Sequence, residues 1–248
     1  MMKKPILFLA ANPVGTTALK LDEEARAIQE ELRRATQRDE FEFVSRLAAR
    51  PMDLLRALRE VKPSIVHFAG HARADGIYLT GENGQRKRVT RDALHATFGA
   101  AGLSVQIVVL NGCSTEELAK ALCELVPVCV GTSASIGDDA ARVFSIGFYG
   151  ALASSESAAR ACLHGKAAMH LEATGDHDQP RLHHRRDVDP DTLVLAHEGA
   201  VIGAAISAPA PEVPRPPPAS TASHPRATVF PAVAVFAPAV TRSPPAPI

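Results

Sequence analysis

Short, continuous apolar runs, each closed by turn-forming residues, are what most restrict the fold of this chain. Ile6-Leu-Phe-Leu-Ala-Ala11 stops at Asn12-Pro13, Ser64-Ile-Val-His-Phe-Ala69 at Gly70-His71, and Val105-Gln-Ile-Val-Val-Leu110 at Asn111-Gly112-Cys113. Pro127-Val-Cys-Val-Gly131 is a fourth such run, and Phe41-Glu-Phe-Val-Ser-Arg-Leu47 reads as a further strand. Runs this short and this uniformly apolar are strands buried on both faces. Between them, Leu21, Ala25, Ile28 and Leu32 recur at helical spacing, with Glu23 and Glu24 early and Arg33 and Arg34 late, as the helix dipole prefers. Met52–Val61, Arg91–Ala100, Thr115–Leu125, Asp138–Ala153 and Ser155–Leu171 read as further helices. This alternation implies an α/β fold with right-handed crossovers and a mostly parallel sheet flanked by helices. Two β-like runs between Gly76 and Val89 flank Gly81-Glu-Asn-Gly84, whose Asn-Gly pair favours a hairpin turn.

Beyond about His177 the periodicity fades. From Gly203 onward the chain carries twelve of its 19 prolines and only four charged residues, Glu212, Arg215, Arg226 and Arg242. A segment of that composition has too little large apolar surface to order itself. The expected organisation is a folded domain over 1–176, a weakly structured extension over 177–202 and a disordered Pro/Ala-rich tail over 203–248.

Composition then excludes several function classes. Lys+Arg and Asp+Glu both number 27, so no global charge points to nucleic acid or an anionic membrane. Trp is absent and aromatics make up 4%, which argues against a base-stacking platform. Met1-Met2-Lys3-Lys4-Pro5 leads into an apolar run too short to span a membrane and lacks a signal-peptide cleavage pattern. The four cysteines include no C-x-x-C pair, which suits a reducing cytoplasm. His164, His170, His177, His183 and His184 lack a compact ligand spacing, so neither a metal nor a cofactor is expected.

Ligands of an open α/β sheet bind beyond the carboxyl ends of its strands. His71 and Cys113 both fall at that edge, each just past a glycine. A Cys–His pair is the minimal set for nucleophilic acyl transfer, because the thiolate attacks and the imidazole shuttles the proton. The helix beginning near Thr115 lends its N-terminal dipole to Cys113, while Gly70 and Gly112 let the backbone turn N–H groups toward a developing oxyanion. Cys123, Cys129 and Cys162 lie within regular elements and read as core, as does His67. Asn12 and Asp75 fall near the same rim without an assigned role. Leu182-His-His-Arg-Arg186 reads as a solvated basic patch.

Ile65-Val-His-Phe-Ala-Gly-His-Ala72 together with Val108-Val-Leu-Asn-Gly-Cys-Ser114 resembles the His and Cys motifs of the CHAT family, caspase-like cysteine peptidases of clan CD. The resemblance extends from about Lys3 to Leu171. It takes in Lys4–Pro13 and Leu21–Ile28 at the start, and Cys129-Val-Gly-Thr, Ile136–Ala141 and Phe144–Leu152 after the Cys motif. It implies a caspase–haemoglobinase-like fold with a small β-hairpin after the His motif. Cys113 would be the nucleophile and His71 the general acid/base that protonates the leaving amine. The backbone N–H groups of Cys113 and Ala72 would hold the oxyanion. Ala72 stands where family members usually carry Gly, and is strained there if the position requires positive φ. Gly112 replaces a more common Ala.

Asp138 matches the position where related peptidases place an acid in the pocket for the residue preceding the cut, and such a carboxylate pairs with Arg or Lys. The other reading is that Asp138 and Asp139 charge the N-terminus of the following helix. The expected protein is a cytosolic cysteine endopeptidase that cuts protein substrates after a basic residue. The resemblance implies an effector of bacterial signalling or defence, with a sensor or activator encoded elsewhere. The alternative is a catalytically silent caspase-like scaffold or oligomerisation module. A flavodoxin-like binder fits less well, because Asn12-Pro13-Val14-Gly15 is a poor phosphate loop. Oligomeric state stays open.

Overall fold

A computed structural model describes residues 3–196 apart from Leu103, so the tail expected over 203–248 and residues 197–202 lie outside the described residues. The strands are β1 (Lys4–Ala11), β2 (Phe41–Arg46), β3 (Ile65–Gly70), β4 (Ala72–Arg73), β5 (Gly76–Thr80), β6 (Arg86–Thr90), β7 (Ile107–Asn111), β8 (Val128–Thr132) and β9 (Pro180–His184). The helices are α1 (Leu21–Arg34), α2 (Pro51–Val61), α3 (Arg91–Ala101), α4 (Glu116–Leu122), α5 (Asp138–Leu152) and α6 (Ala158–Leu171).

Six strands form one sheet in the order β2-β1-β3-β7-β8-β9, parallel throughout except for the antiparallel β8–β9 pair. The apolar runs explain why this sheet is covered on both sides. Along β1, Ile6, Phe8 and Ala10 join the core beneath α1, α5 and α6, while Leu7, Leu9 and Ala11 join the core beneath α2, α3 and α4. The hairpin read from Gly81–Gly84 is present as β5–β6, closed by Gly84 N–H to the Gly81 carbonyl at 3.0 Å. It is extended by β4 into a second, antiparallel three-stranded sheet.

Several boundaries differ from the sequence reading. β7 runs over Ile107–Asn111 rather than Val105–Leu110, ending on a buried Asn111. α4 stops at Leu122, where Cys123 caps it, rather than at Leu125. α6 begins at Ala158 because Ser157 accepts the Arg160 N–H at 3.2 Å, an N-cap, and Ser155 sits at a φ of 64° that no helix accommodates. Past His177, where the periodicity fades, the chain adds β9 to the edge of the sheet and buries Leu195 and Ala196. Among the described residues no helix is long and apolar enough to cross a membrane.

Candidate active site

β3 and β7 are adjacent parallel strands with Ala69 opposite Asn111, so the chain leaves the sheet side by side at Gly70-His71 and Gly112-Cys113. The two turns touch. A Cβ on Gly112 would lie 2.6 Å from the Gly70 carbonyl oxygen and 3.1 Å from the Ala72 Cβ, so glycine is the residue that permits this approach. The Gly112 carbonyl is held by the Thr132 hydroxyl, and Thr115 Oγ1 donates to the Leu110 carbonyl at 2.8 Å. Ser114, directly after Cys113, adopts the left-handed region at a φ of 55° and donates its N–H to the Ala134 carbonyl at 3.0 Å.

His71, Cys113 and Asp138 line one cavity of about 110 Å³ at this edge, together with Glu24 and Asn111 and the apolar side chains of Leu21 and Ile136. Cys113 is half-buried, whereas Cys123, Cys129 and Cys162 are buried in the core. His71 and Cys113 do not hydrogen bond to each other among the described residues. The Cys113 Sγ accepts from the Ser135 hydroxyl at 3.4 Å, and His71 Nε2 lies 2.8 Å from the Thr17 carbonyl oxygen. A carbonyl only accepts, so Nε2 carries the proton and Nδ1 is the nitrogen left for exchange. Thr17 belongs to the loop after β1, and Asn12 braces that loop through bonds to the Leu19 carbonyl (2.8 Å) and the Leu19 N–H (3.1 Å).

Asp138 lines the cavity and is also the first residue of α5. Its Oδ2 accepts the Lys20 N–H at 3.1 Å. Ala72 is not among the residues of positive φ, so the strain considered for it does not arise. Tyr78 N–H donates to the His71 carbonyl, which makes the next pair, Ala72 with Ile77, a non-hydrogen-bonded one. The Ala72 N–H therefore points away from β5. Asp75 pairs with Arg88 on β6.

Sequence reasoning missed a buried polar network beneath the cavity. Glu24 Oε1 accepts from His67 Nε2 (3.0 Å), Asn111 Nδ2 (2.5 Å) and the Ser145 hydroxyl (2.8 Å). His67 Nδ1 lies 3.0 Å from the Tyr149 hydroxyl. Burial, and then the nearby Glu24 charge, push the Tyr149 phenol well up, so it stays protonated and donates to His67. A signal for Glu24 was present. It falls between Leu21 and Ile28 on the apolar stripe of α1, where an acid has no solvent to face. Of the histidines set aside as metal ligands, His170 and His177 lie with ring centroids 3.7 Å apart and ring planes tilted by 32°, and among the described residues no three metal-binding side chains converge.

The sequence profile of the CHAT domain matches residues 5–192. A probable protease of Gillisia limnaea is 25% identical over 152 residues, 60% of this chain. The chain spans only 27% of that relative's length. Among solved structures, the Arg-specific cysteine proteinase gingipain R is similar with a TM-score of 0.55 at 10% identity, covering 77% of this chain and 47% of that one. A secreted C11 cysteine protease from Bacteroides thetaiotaomicron, in complex with an irreversible peptide inhibitor, gives a TM-score of 0.49 at 11% identity over 68% of this chain and 60% of that one. The likeness to gingipain R is one of fold: the mostly parallel, helix-flanked sheet of the caspase-like cysteine proteases.

Proposed function

This chain belongs to the CHAT domain family, and on that premise we propose that it is a cysteine endopeptidase cutting protein substrates after a basic residue. The observation that carries the reading is one cavity, at the carboxyl ends of β3 and β7, lined by a half-buried thiol, an imidazole and a carboxylate. In this mechanism the Cys113 Sγ attacks the scissile carbonyl carbon. The thiol proton passes to His71 Nδ1, and from there to the leaving amine as the C–N bond breaks. Thr17 keeps the imidazole oriented through Nε2. The oxyanion is held by the N–H of Cys113, which has no backbone acceptor among the described residues, and by that of Ala72, which the β4–β5 ladder leaves unused. Water then hydrolyses the thioester and returns the thiol. Asp138 lines the pocket for the basic side chain.

A strained Ala72 would favour the scaffold alternative, and its ordinary φ does not supply that strain. The proposal extends to an effector role in bacterial signalling or defence with an activator from another chain. The test is an unbiased peptide-library digest comparing the wild type with Cys113→Ala. Cuts after Arg or Lys that vanish in the variant are expected. Cuts after other residues would keep the peptidase and remove the basic specificity, while cuts that survive in Cys113→Ala would remove the nucleophile.

A further inference from the structure

β6 is an outer strand of the three-stranded sheet, and its register with β5 shows which of its backbone groups are spare. Gly81 N–H donates to the Gln85 carbonyl at 2.7 Å, and Arg91 N–H to that of Asp75 at 3.3 Å. Bonded pairs alternate along an antiparallel ladder, so Lys87 and Val89 are the residues of β6 that bond to β5. The same alternation appears on β5, where Tyr78 N–H donates to the His71 carbonyl and Thr80 N–H to that of Ala49, both at 2.9 Å on the side away from β6. On β6 the N–H and C=O of Arg88, the carbonyl of Arg86 and the N–H of Thr90 therefore face outward. One end of this edge is already in use. Val14, in the loop after β1, forms a parallel bridge with Gln85 and donates its N–H to the Gly84 carbonyl at 2.8 Å. Past that bridge, no strand among the described residues pairs with β6 on its outer side.

The side chains along this edge are of one charge. Ile77, Leu79 and Val89 point into the core, and the opposite face of the sheet carries exposed Arg73, Arg86 and Arg88. Arg86 lies over the Tyr78 ring at 4.8 Å and Arg88 pairs with Asp75, while among the described residues neither Arg73 nor Arg86 has an acidic partner. Charges on an open edge keep like edges from pairing, and charges of a single sign leave it open to a strand of the opposite sign. We propose that the free edge of β6 takes up an extended acidic segment of an activating partner protein as a fourth strand of this sheet. The edge is tied to His71 twice: β5 holds the His71 carbonyl through Tyr78, and Val14 opens the stretch whose Thr17 carbonyl holds His71 Nε2. A strand laid beside Val14 fastens both attachments, which makes its owner an activator rather than a substrate. That assignment of the occupant rests on the peptidase reading above; the docking edge does not.

The test is binding of a fluorescent octapeptide of alternating Glu and Val to the full chain, read by anisotropy, with alternating Lys and Val as the control. The acidic probe should bind about tenfold or more tightly than the basic one at low salt, and weaken as salt rises. Arg86→Glu together with Arg88→Glu should reverse the preference. Should that variant fail to fold, Arg86→Gln with Arg88→Gln should weaken the acidic probe by about tenfold. N-methylation of alternate probe residues separates strand pairing from charge attraction alone. Antiparallel addition uses the N–H of the Glu opposite Arg88 and parallel addition uses those of the Val residues, so one methylated set should lose binding and the other keep it. Equal affinity for the two probes, affinity unchanged by the arginine substitutions, or the same response to both methylated sets overturns the proposal. The acidic probe has no basic residue to be cut after, and it should raise kcat several-fold on an Arg-containing reporter peptide. An unchanged or lowered rate overturns the activating role. Binding that depends on Arg86 and Arg88, in a chain that cleaves nothing with or without the probe, would sink the peptidase reading and leave the docking edge standing.

Discussion

At Gly112 the structure reverses what substitution patterns suggest. Alanine is the commoner residue there in resembling sequences, and exchanging Gly for Ala looks mild. Here a Cβ would press within 2.6 Å of a backbone oxygen at the start of the neighbouring turn, where nothing flexible can give way. Gly112→Ala is expected to lower stability by about 1–3 kcal/mol, as overpacking does, and to displace Cys113. Thermal melts together with the rate of Cys113 alkylation would check both, and an unchanged rate would mean the turns relax apart without moving the thiol. The four cysteines divide in the same residue-by-residue way. Burial pushes the Cys162 thiol up to about 11, and burial, reinforced by the neighbouring Cys123, pushes Cys129 well up too. Iodoacetamide near neutral pH should therefore label half-buried Cys113 in the native protein and spare Cys129 and Cys162, as peptide mapping would read. The folded state keeps the Cys162 proton to higher pH than the unfolded chain does. Its contribution to stability is thus present below about pH 9 and lost as pH rises through about 11, and denaturation of Cys162→Ala across that window should lack this loss.

At the scale of elements, the loop between β1 and α1 carries more of the site than its sequence announced. Asn12 fastens both backbone groups of Leu19, and this closed loop presents the Thr17 carbonyl to His71. Asn12→Ala should cost little stability, because the bonds are solvent-exposed, about 0.5–1.5 kcal/mol at most. It should lower kcat several-fold with KM nearly unchanged and shift the pH profile of kcat, since the imidazole loses its fixed orientation. An unchanged pH profile with a raised KM would instead assign the loop to substrate binding. The central strands and the shared edge that carries His71 and Cys113 were legible because their information is local. β1, β3, β7 and β8 are self-contained apolar runs, and the two residues stand just past the ends of β3 and β7. Asn12 and Thr17 were not legible, because one acts by an exposed side-chain brace and the other through its carbonyl, a group every residue carries. Glu24 lay in plain view, but its charge placed it with the solvent-facing acids until its partners on β3, β7 and α5 were known.

On the scale of the whole molecule, the folded unit depends on residues with no periodic signature. Pro180-Arg-Leu-His-His184 could not be read as a strand because only one of its residues is buried, and its strand character comes from pairing with β8. The segment after β9 is tied down by long-range backbone bonds: Arg185 N–H to the Pro127 carbonyl and Ala158 N–H to that of Leu193, both 2.9 Å, and Ala159 N–H to that of Pro190 at 3.1 Å. Leu195 and Ala196 are buried, and Leu182, Val188 and Leu193 pack against the same core beneath α5 and α6. Removing all of this at residue 176 strips on the order of 5 kcal/mol of apolar burial, comparable to the whole stability of many domains. It also bares β8, a strand whose five residues are all buried and whose open edge invites pairing with another chain. A chain cut to 1–176 is therefore expected to aggregate or to melt without a cooperative transition, whereas one cut to 1–196 should retain the melting temperature of the full chain within a few degrees. Circular dichroism melts and size-exclusion chromatography of the two truncations would decide. A monomeric, cooperatively folding 1–176 would show that β9 and the segment after it are an appendage to the sheet rather than its sixth strand.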